Sequence, residues 1–234
     1  RPQGERHRGG YPEGDFLNGS WRGSWSRGGE AYRARRPAPR ARMGDAELDA
    51  LYALCKGASF VAFDFETTGL GADSERVVEI GAVRFTMQET GGSWSLVPDG
   101  VYATLVNPGR PIPRQVSAIH GIYDLDVSGA PCFKAAAPEF LAFLGDSVLV
   151  AHNAPFDLRF LAAECGRNGL ETPSNQAYDT KLLAQSAVPH LPSYSLKNLA
   201  ASFGITQKEA HRGADDARVC MELFARCVGL LFRN

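Results

Sequence analysis

The sequence predicts a single α/β domain in which a mixed β-sheet has helices packed against it. Three strand-like segments rich in β-branched and aromatic residues follow one another early in the chain, at Ser59–Asp64, Val77–Phe85 and Val101–Val106. Beyond Pro113 the apolar residues change to helical spacing, interrupted by one short apolar strand. With 234 residues, 44% of them hydrophobic and 22% charged, the chain has the composition of an ordinary globular protein.

Residues 1–42 differ from the rest of the chain in composition. They contain ten Arg, four acidic residues and eight Gly, which gives a formal charge of +6 here and −7 in residues 43–234. Such a segment cannot bury enough apolar surface to offset its loss of conformational entropy, so we predict disorder. It is either a tether for nucleic acid phosphates or a non-native extension ahead of Met43. We expect residues 43–234 to form the folded domain.

The domain opens with a short amphipathic helix, predicted at residues 45–55. The three strand-like segments come next, separated by turns rich in Gly, Ser and Asp. Because no helical crossover lies between them, we expect the three strands to pair in antiparallel fashion.

The second half alternates helices with a buried strand. Helices are predicted at Phe133–Leu144, Phe156–Arg167, Thr180–Ala187 and Tyr194–Phe203, and the strand is predicted at Ser147–His152. The last helix runs from near His211 to about Leu231, with apolar residues at spacings of three and four.

Cysteine usage and hydropathy point to a cytoplasmic protein. The five cysteines are scattered and form no C-x-x-C pair, so we interpret them as reduced thiols. No apolar run approaches the roughly 18–20 residues that cross a bilayer. The Gly- and Arg-rich start lacks the apolar core of a secretory signal. We therefore expect neither secretion nor membrane association.

Two acidic residues lie two positions apart at the end of the first predicted strand, in Phe63-Asp64-Phe65-Glu66. Residues two apart in a strand face the same side, so Asp64 and Glu66 point together while the phenylalanines point into apolar surroundings. Neighbouring carboxylates repel unless a cation lies between them, and such hard oxygen ligands suit Mg²⁺ or Mn²⁺. Taken alone, the pattern also fits a solvated strand end.

Two further acidic signals occur later in the chain. Asp157 lies near a predicted helix N-terminus, where a carboxylate is favourable for the helix dipole in any case. The last helix opens on His211-Arg212-Gly213-Ala214-Asp215-Asp216, in which one acid could bind metal and the other cap the helix. His211 could be an ordinary surface residue, yet histidine is the side chain best suited to accept a proton from water near neutral pH.

Together these segments resemble the DEDD superfamily of 3′→5′ exonucleases, in its His-containing, DnaQ-like branch, which includes the epsilon subunit of bacterial DNA polymerase III. The family motif D-x-E-T-T-G matches Asp64–Gly69, H-N-x-x-F-D matches His152–Asp157, and H-x-x-x-x-D matches His211–Asp216, which selects Asp216 over Asp215. Smaller matches include V-E-I-G-A-V at Val78–Val83 and I-H-G-I at Ile119–Ile122. The resemblance implies a ribonuclease H-like fold with a mixed five-stranded sheet flanked by helices.

The resemblance also implies two-metal phosphodiester hydrolysis. The metal ligands would be Asp64, Glu66, Asp157 and Asp216, holding two Mg²⁺ or Mn²⁺ ions about 3.5–4 Å apart. His211 would remove a proton from the attacking water, and a nucleoside 5′-monophosphate would leave.

Other motif residues are expected to contact the substrate or to support the site. Contacts with the terminal nucleotides are assigned to Thr67, Thr68, His120 and Phe156. The alternatives are a turn for the threonines and core packing for Phe156. We expect Asn153 and Asp179 to be structural, as a loop hydrogen-bonding residue and a helix cap.

The function implied by the resemblance is a DNA exonuclease of the proofreading or repair type. It would act on single-stranded or frayed 3′ ends, with a DNA polymerase as candidate partner. A 3′→5′ exoribonuclease similar to RNase T or oligoribonuclease is the alternative, because both substrates present the same scissile phosphate. A catalytically silent binding subunit would lack a ligand or the base, and none is missing. The chain ends 18 residues after Asp216, so we do not expect the C-terminal tail through which the epsilon subunit binds its polymerase.

Overall fold

A computed structural model describes residues 42–233, and the predicted disordered extension lies outside these residues apart from Arg42. The helices are α1 (Asp45–Cys55), α2 (Arg114–His120), α3 (Asp124–Val127), α4 (Phe133–Leu144), α5 (Pro155–Asn168), α6 (Thr180–Ala187), α7 (Leu196–Ser202) and α8 (Gly213–Leu231). The strands are β1 (Ser59–Thr67), β2 (Val77–Thr90), β3 (Ser93–Leu105), β4 (Val148–Ala151) and β5 (Ala177–Asp179). Over the described range, no helix has both the length and the apolar character needed to cross a membrane.

The strands form one mixed sheet in the order β3-β2-β1-β4-β5. The first three strands pair in antiparallel fashion, as predicted, whereas β4 runs parallel to β1 and β5 runs parallel to β4. The predicted α/β fold with a mixed five-stranded sheet is therefore confirmed. The parallel pairing of β1 with β4 positions the site, since motifs that follow both strands come to lie at the same edge of the sheet.

Alternation along β1 directs side chains into two hydrophobic clusters. Phe60 and Ala62 join the cluster that contains Phe224 of α8. Val61 and Phe63 join the other cluster, with residues of α4 and α5. Because residues of a strand alternate between its two faces, helices cover both faces of the sheet at β1. The ring centroids of Phe60 and Phe224 are 5.1 Å apart, which is close packing for an aromatic pair.

The third strand is longer than predicted. It begins at Ser93 instead of Val101, and it forms a long hairpin with β2 across Gly91 and Gly92, which both have positive φ. Pro98 and Gly100 look like turn residues in the sequence, yet an edge strand tolerates proline because one side of it needs no ladder donor. The hydrogen-bond register shifts between Arg84 and Phe85, which fits a bulge opposite this interruption.

Three short elements are additional to the prediction. The helices α2 and α3 have seven and four residues, and β5 has three. Such lengths give too few apolar positions to show a period, so tertiary contacts define these elements. The predicted helices at Phe133–Leu144 and Thr180–Ala187 are confirmed at the same residues.

Candidate active site

The end of β1 carries the first two acidic residues. Asp64 and Glu66 alternate with Phe63 and Phe65, which belong to a buried hydrophobic cluster. The predicted orientation of the strand is therefore confirmed, because the two carboxylates share the face opposite the phenylalanines. Backbone pairing to β2 places Gly81 opposite Asp64 and Glu79 opposite Glu66.

Asp157 lies in the first turn of α5 and is 3% exposed. Its Oδ1 accepts a hydrogen bond from the backbone N–H of Phe65 at 3.1 Å. This bond ties the start of α5 to the strand residue between Asp64 and Glu66. Because β4 lies beside β1 and leads into α5, the parallel strand pair brings the second motif to the first.

Asp216 and His211 come from the start of α8 and the turn before it. Ligand atoms of Glu66, His211 and Asp216 all lie within 4.8 Å of one another. The carboxylate of Asp216 accepts hydrogen bonds from the side chain of Gln207 at 2.5 Å and from the backbone N–H of His211 at 3.2 Å. The structure thus places the third motif against the first.

Asp215 points away from this group. Its carboxylate accepts the backbone N–H groups of Lys208 and Glu209 at 2.6 and 2.8 Å, and Arg218 donates to it at 2.8 Å. These interactions lower the pKa of Asp215, although burial alone would raise it. Asp215 therefore stabilises the turn before α8, while Asp216 faces Glu66.

A close approach between β2 and α8 determines where Asp216 lies relative to β1. A Cβ atom on Gly81 would lie 1.9 Å from the carbonyl carbon of Gly213 and 2.2 Å from the nitrogen of Ala214. Only a residue without a side chain fits against the helix start at that distance. Gly81 pairs with Asp64 in the sheet. Because Gly81 has no side chain, the first turn of α8 can lie beside Asp64 of β1.

The electrostatics show how closely the acidic residues are grouped. The pKa of Asp64 is raised well above its usual value, first by burial and then by the neighbouring carboxylates of Asp157, Glu66, Asp216 and Glu79. Burial, followed by the charges of Asp216 and Glu79, raises the pKa of Glu66 to about 8. Burial also raises the pKa of Asp157 to about 7 and that of Asp216 above its usual value. We refer to Asp64, Glu66, Asp157 and Asp216 as the carboxylate cluster.

The carboxylate cluster fits a divalent cation. Its donors are carboxylate oxygens with one histidine nearby, a set suited to Mg²⁺ or Mn²⁺. Its raised pKa values show that ionising all four acids in the metal-free protein is unfavourable. A bound cation would favour the ionised forms and so remove this repulsion.

The residues expected to contact the substrate differ in how deeply they are buried. Thr67 and Thr68 are 6% and 1% exposed, and their hydroxyls donate to the carbonyl of Gly69 and the carboxylate of Glu75. His120 is 3% exposed, and its Nδ1 accepts the backbone N–H of Ile122 at 3.0 Å. Burial lowers the pKa of the His120 ring, although its interaction with the backbone of Thr67 acts in the opposite direction.

Phe156 is half-buried against Phe160, with ring centroids 4.9 Å apart. This arrangement supports the core-packing interpretation and leaves part of the ring accessible. A substrate contact by Phe156 therefore stays a prediction.

The two residues expected to be structural have such roles. Asp179 caps α6 by accepting the backbone N–H of Lys181 at 2.8 Å, and it also accepts the N–H of Asn153 at 3.0 Å. The helix cap predicted for Asp179 is therefore confirmed. The Oδ1 of Asn153 accepts a hydrogen bond from Lys181 at 3.2 Å, so this residue takes part in a loop hydrogen bond as predicted.

Sequence reasoning missed Gly81 and Gln207. Gln207 precedes Asp216 by nine residues in a turn without regular hydrogen bonding, so no local pattern marks its contact. Gly81 stands inside a strand, where an isolated glycine is a known sign of close backbone approach. That signal could have been used.

Comparison with known proteins places the chain in a family. The family model described as "Exonuclease" matches residues 61–224. The chain is 42% identical over 182 residues to a DNA polymerase III subunit epsilon of Treponema pallidum, covering 77% of this chain and 81% of that protein. It is 40% identical over 175 residues to a DNA polymerase III PolC-type of Thermotoga maritima, but it covers only 12% of that longer protein.

Solved structures show the same fold. Exonuclease X in complex with 5′ overhanging duplex DNA superposes with a TM-score of 0.52 at 26% identity, covering 72% of this chain and 89% of that one. E. coli exonuclease I in complex with a dT13 oligonucleotide gives a TM-score of 0.61 at 17% identity, over 73% of this chain and 41% of that chain. The second likeness concerns the fold alone.

The fold and the grouped carboxylates define a nuclease that depends on a divalent metal ion. The chain belongs to the exonuclease family, and it is a 3′→5′ exonuclease.

Burial of the carboxylate cluster, together with repulsion at Glu66, predicts an unusual pH dependence of stability for the metal-free protein. In the folded state the pKa values of Asp157 and Glu66 are about 7 and about 8, well above those in an unfolded chain. The folded protein therefore binds more protons between roughly pH 4 and 8, so the free energy of unfolding falls as the pH rises through this window.

This decline should appear as a falling melting temperature from pH 5 to pH 8 in EDTA. The variant Glu66→Gln should flatten the decline and raise the melting temperature at pH 8 by on the order of 5 °C, because it removes one of the two groups that titrate in this window. If the melting curves of the wild type and this variant run parallel across that range, the raised pKa of Glu66 is contradicted.

The close approach at Gly81 predicts that Gly81→Ala displaces the start of α8. The added methyl would meet backbone atoms, so we expect a loss of about 1–3 kcal/mol in the free energy of unfolding and about 10²-fold in kcat. Gly166→Ala within α5 is the matched control, because no atom lies within 4 Å of the added Cβ. Denaturant titration and a nuclease assay measure both effects. A Gly81→Ala protein as stable and active as Gly166→Ala would refute the close approach.

Proposed function

We propose that this protein removes nucleotides from the 3′ end of DNA as nucleoside 5′-monophosphates, in a proofreading or repair role. The observation that carries the proposal is the grouping of Glu66, His211 and Asp216 within 4.8 Å, from motifs about 150 residues apart in the chain. Further support comes from the 42% identical relative named DNA polymerase III subunit epsilon, of which this chain covers 81%.

The carboxylate cluster would hold two Mg²⁺ or Mn²⁺ ions. When bound, such ions activate water and stabilise negative charge on the scissile phosphate and on the departing 3′-oxygen. The chain itself contributes the ligand oxygens, with Asp157 fixed to the backbone of β1 and Asp216 fixed by Gln207.

His211 is the residue proposed to accept the proton of the attacking water. His211 is exposed, and one of its ring nitrogens lies within 4.8 Å of carboxylate oxygens of Glu66 and Asp216. An imidazole titrates close to neutral pH, so it can take this proton and return it to solvent after each turnover.

We assign contacts with the last nucleotides to Thr67, Thr68, His120 and Phe156. The hydroxyls of the two threonines bond to Gly69 and Glu75, and the backbone N–H of Thr68 donates to Arg76, so other backbone groups of residues 67–69 are the candidates for substrate contact. The ring of His120 is a candidate hydrogen-bonding group beside Thr67, and the accessible part of Phe156 is a candidate stacking surface.

We further propose that residues 43–234 are the exonuclease domain and that a DNA polymerase is its protein partner. All the proposed site residues lie within that range. The partner follows from relatives that are named as a polymerase subunit or as a polymerase.

The proposal predicts a metal-dependent ladder of shortened products from a 5′-labelled single-stranded DNA oligomer. Asp64→Ala should lower kcat by about 10³-fold or more, and His211→Ala by about 10²–10⁴-fold. Asp146→Ala is the matched control, since Asp146 is an exposed carboxylate ahead of β4 without a hydrogen bond or ion pair among residues 42–233. It should retain wild-type activity.

A matched RNA oligomer in the same assay decides the substrate. Faster hydrolysis of RNA would identify an exoribonuclease of the same family, because the two substrates differ at the terminal 2′-hydroxyl. No hydrolysis of either oligomer with Mg²⁺ or Mn²⁺ would contradict the proposed reaction and leave a binding role.

A further inference from the structure

His211 has an unusual backbone conformation for a side chain of its kind. Its φ is +60°, and within residues 42–233 it shares a positive φ with one other non-glycine residue, Asn153. Such a conformation is strained for a residue with a side chain and persists only where the surrounding structure imposes it. The side chain of His211 is exposed, so core packing does not hold the residue in place. The restraint must act on the backbone of the turn formed by residues 211–213.

We propose that Glu79 is a positioning residue for His211, acting through Arg212 and Gly213 to fix the turn at residues 211–213. The inference rests on the proposed role of His211 as the proton acceptor. Glu79 is assigned no contact with substrate or with metal.

The contacts of Glu79 account for the restraint. Its carboxylate is buried on β2, with 4% of the residue exposed. Oε1 of Glu79 accepts Nη2 of Arg212 at 2.9 Å and Nε at 3.3 Å, so the guanidinium is held by two donors. Oε2 accepts the backbone N–H of Gly213 at 2.8 Å. One side chain therefore binds both residues that follow His211.

The other side of the turn is fixed by different groups. The backbone N–H of His211 donates to Asp216 at 3.2 Å. Gly213 lies directly against β2, since a Cβ on it would be 3.0 Å from the nitrogen of Gly81 and 3.3 Å from the carbonyl oxygen of Asp64. His211 is thus held from its own N–H and from the two residues after it.

The negative charge on Glu79 is unfavourable for the nearby carboxylate of Glu66. It lies opposite Glu66 in the sheet and contributes to the raised pKa of that residue. A neutral glutamine could accept the N–H of Gly213 without adding this repulsion. The ionised form is what holds Arg212 in a charge-assisted, two-donor contact, which a neutral acceptor makes more weakly. We infer that the ion pair with Arg212 is the part of the contact that requires a glutamate.

Four variants separate the two contacts of Glu79. Glu79→Gln keeps an acceptor for Gly213, Glu79→Ala removes both contacts, Arg212→Lys keeps the charge, and Arg212→Ala removes the ion pair. We expect kcat to fall by about 10-fold in Glu79→Gln and about 10²-fold in Glu79→Ala, with KM changed by less than about 3-fold. Arg212→Lys should recover part of the activity that Arg212→Ala loses.

A double-mutant cycle with His211→Ala tests whether Glu79 acts through the histidine. If it does, adding Glu79→Gln to His211→Ala lowers kcat by no more than about 2-fold, because residues that act as a unit are non-additive. Losses that multiply in the double variant would overturn the proposal.

Glu164 supplies a matched control for loss of a buried ion pair. It is 1% exposed, accepts Arg76 at 2.8 and 3.1 Å, and accepts the backbone N–H of Val77 at 3.3 Å. Like Glu79 it therefore binds an arginine and the next backbone N–H, and it has further contacts with Arg167 and Asn168. Glu164→Gln should lower the melting temperature about as much as Glu79→Gln while keeping kcat within about 3-fold and adding independently to His211→Ala.

A readout that needs no catalysis is the hydrogen exchange of the Gly213 amide in the metal-free protein. Exchange should be slow in the wild type, little changed in Glu79→Gln and at least about 10-fold faster in Glu79→Ala. Equal protection in all three proteins would overturn the positioning role. An inactive wild type with the predicted exchange pattern would instead contradict the proposed function alone.

Discussion

The burial of closely spaced carboxylates is the constraint on which the rest of this site depends. Asp64 and Glu66 share one face of β1, and two helices bring Asp157 and Asp216 up to them. Burial and mutual charge raise the pKa values of these residues, so the metal-free protein holds its acids in an unfavourable arrangement. A divalent cation would stabilise the ionised carboxylates. The same group of acids that lowers the stability of the metal-free protein can therefore bind the metal that a nuclease needs.

The fold keeps these acids together through contacts with the backbone. Asp157 is bonded to the N–H of Phe65, and the glycines at 81 and 213 let α8 start directly on the sheet. Glu79 adds a further negative charge close to the carboxylate cluster, yet it binds Arg212 and Gly213 beside His211. Rigid placement of reacting groups lowers the activation barrier of catalysis by several kcal/mol.

Much of the site could be predicted from the sequence, because most of its residues belong to short sequence motifs. Period-two alternation gave the orientation of Asp64 and Glu66, and the three motifs matched a family that the comparisons bear out. The remaining parts depend on tertiary structure. Glu79 and Arg212 are 133 residues apart, so no local pattern reveals their contact. The short strand β5 and the start of β3 were missed because Pro98, Gly100 and a three-residue length carry no strand signal.

The most direct test of the central claim is the number of protons released when the metal-free protein binds Mn²⁺. Titration calorimetry at pH 7 in two buffers of different ionisation enthalpy gives this number. Acids whose pKa values lie at about 7 and about 8 must lose protons to bind a cation, so at least about one proton should be released per protein. Release should be smaller in Glu66→Gln. Tight binding of Mn²⁺ with no proton release would contradict the account, because the carboxylates would then already be ionised without the metal.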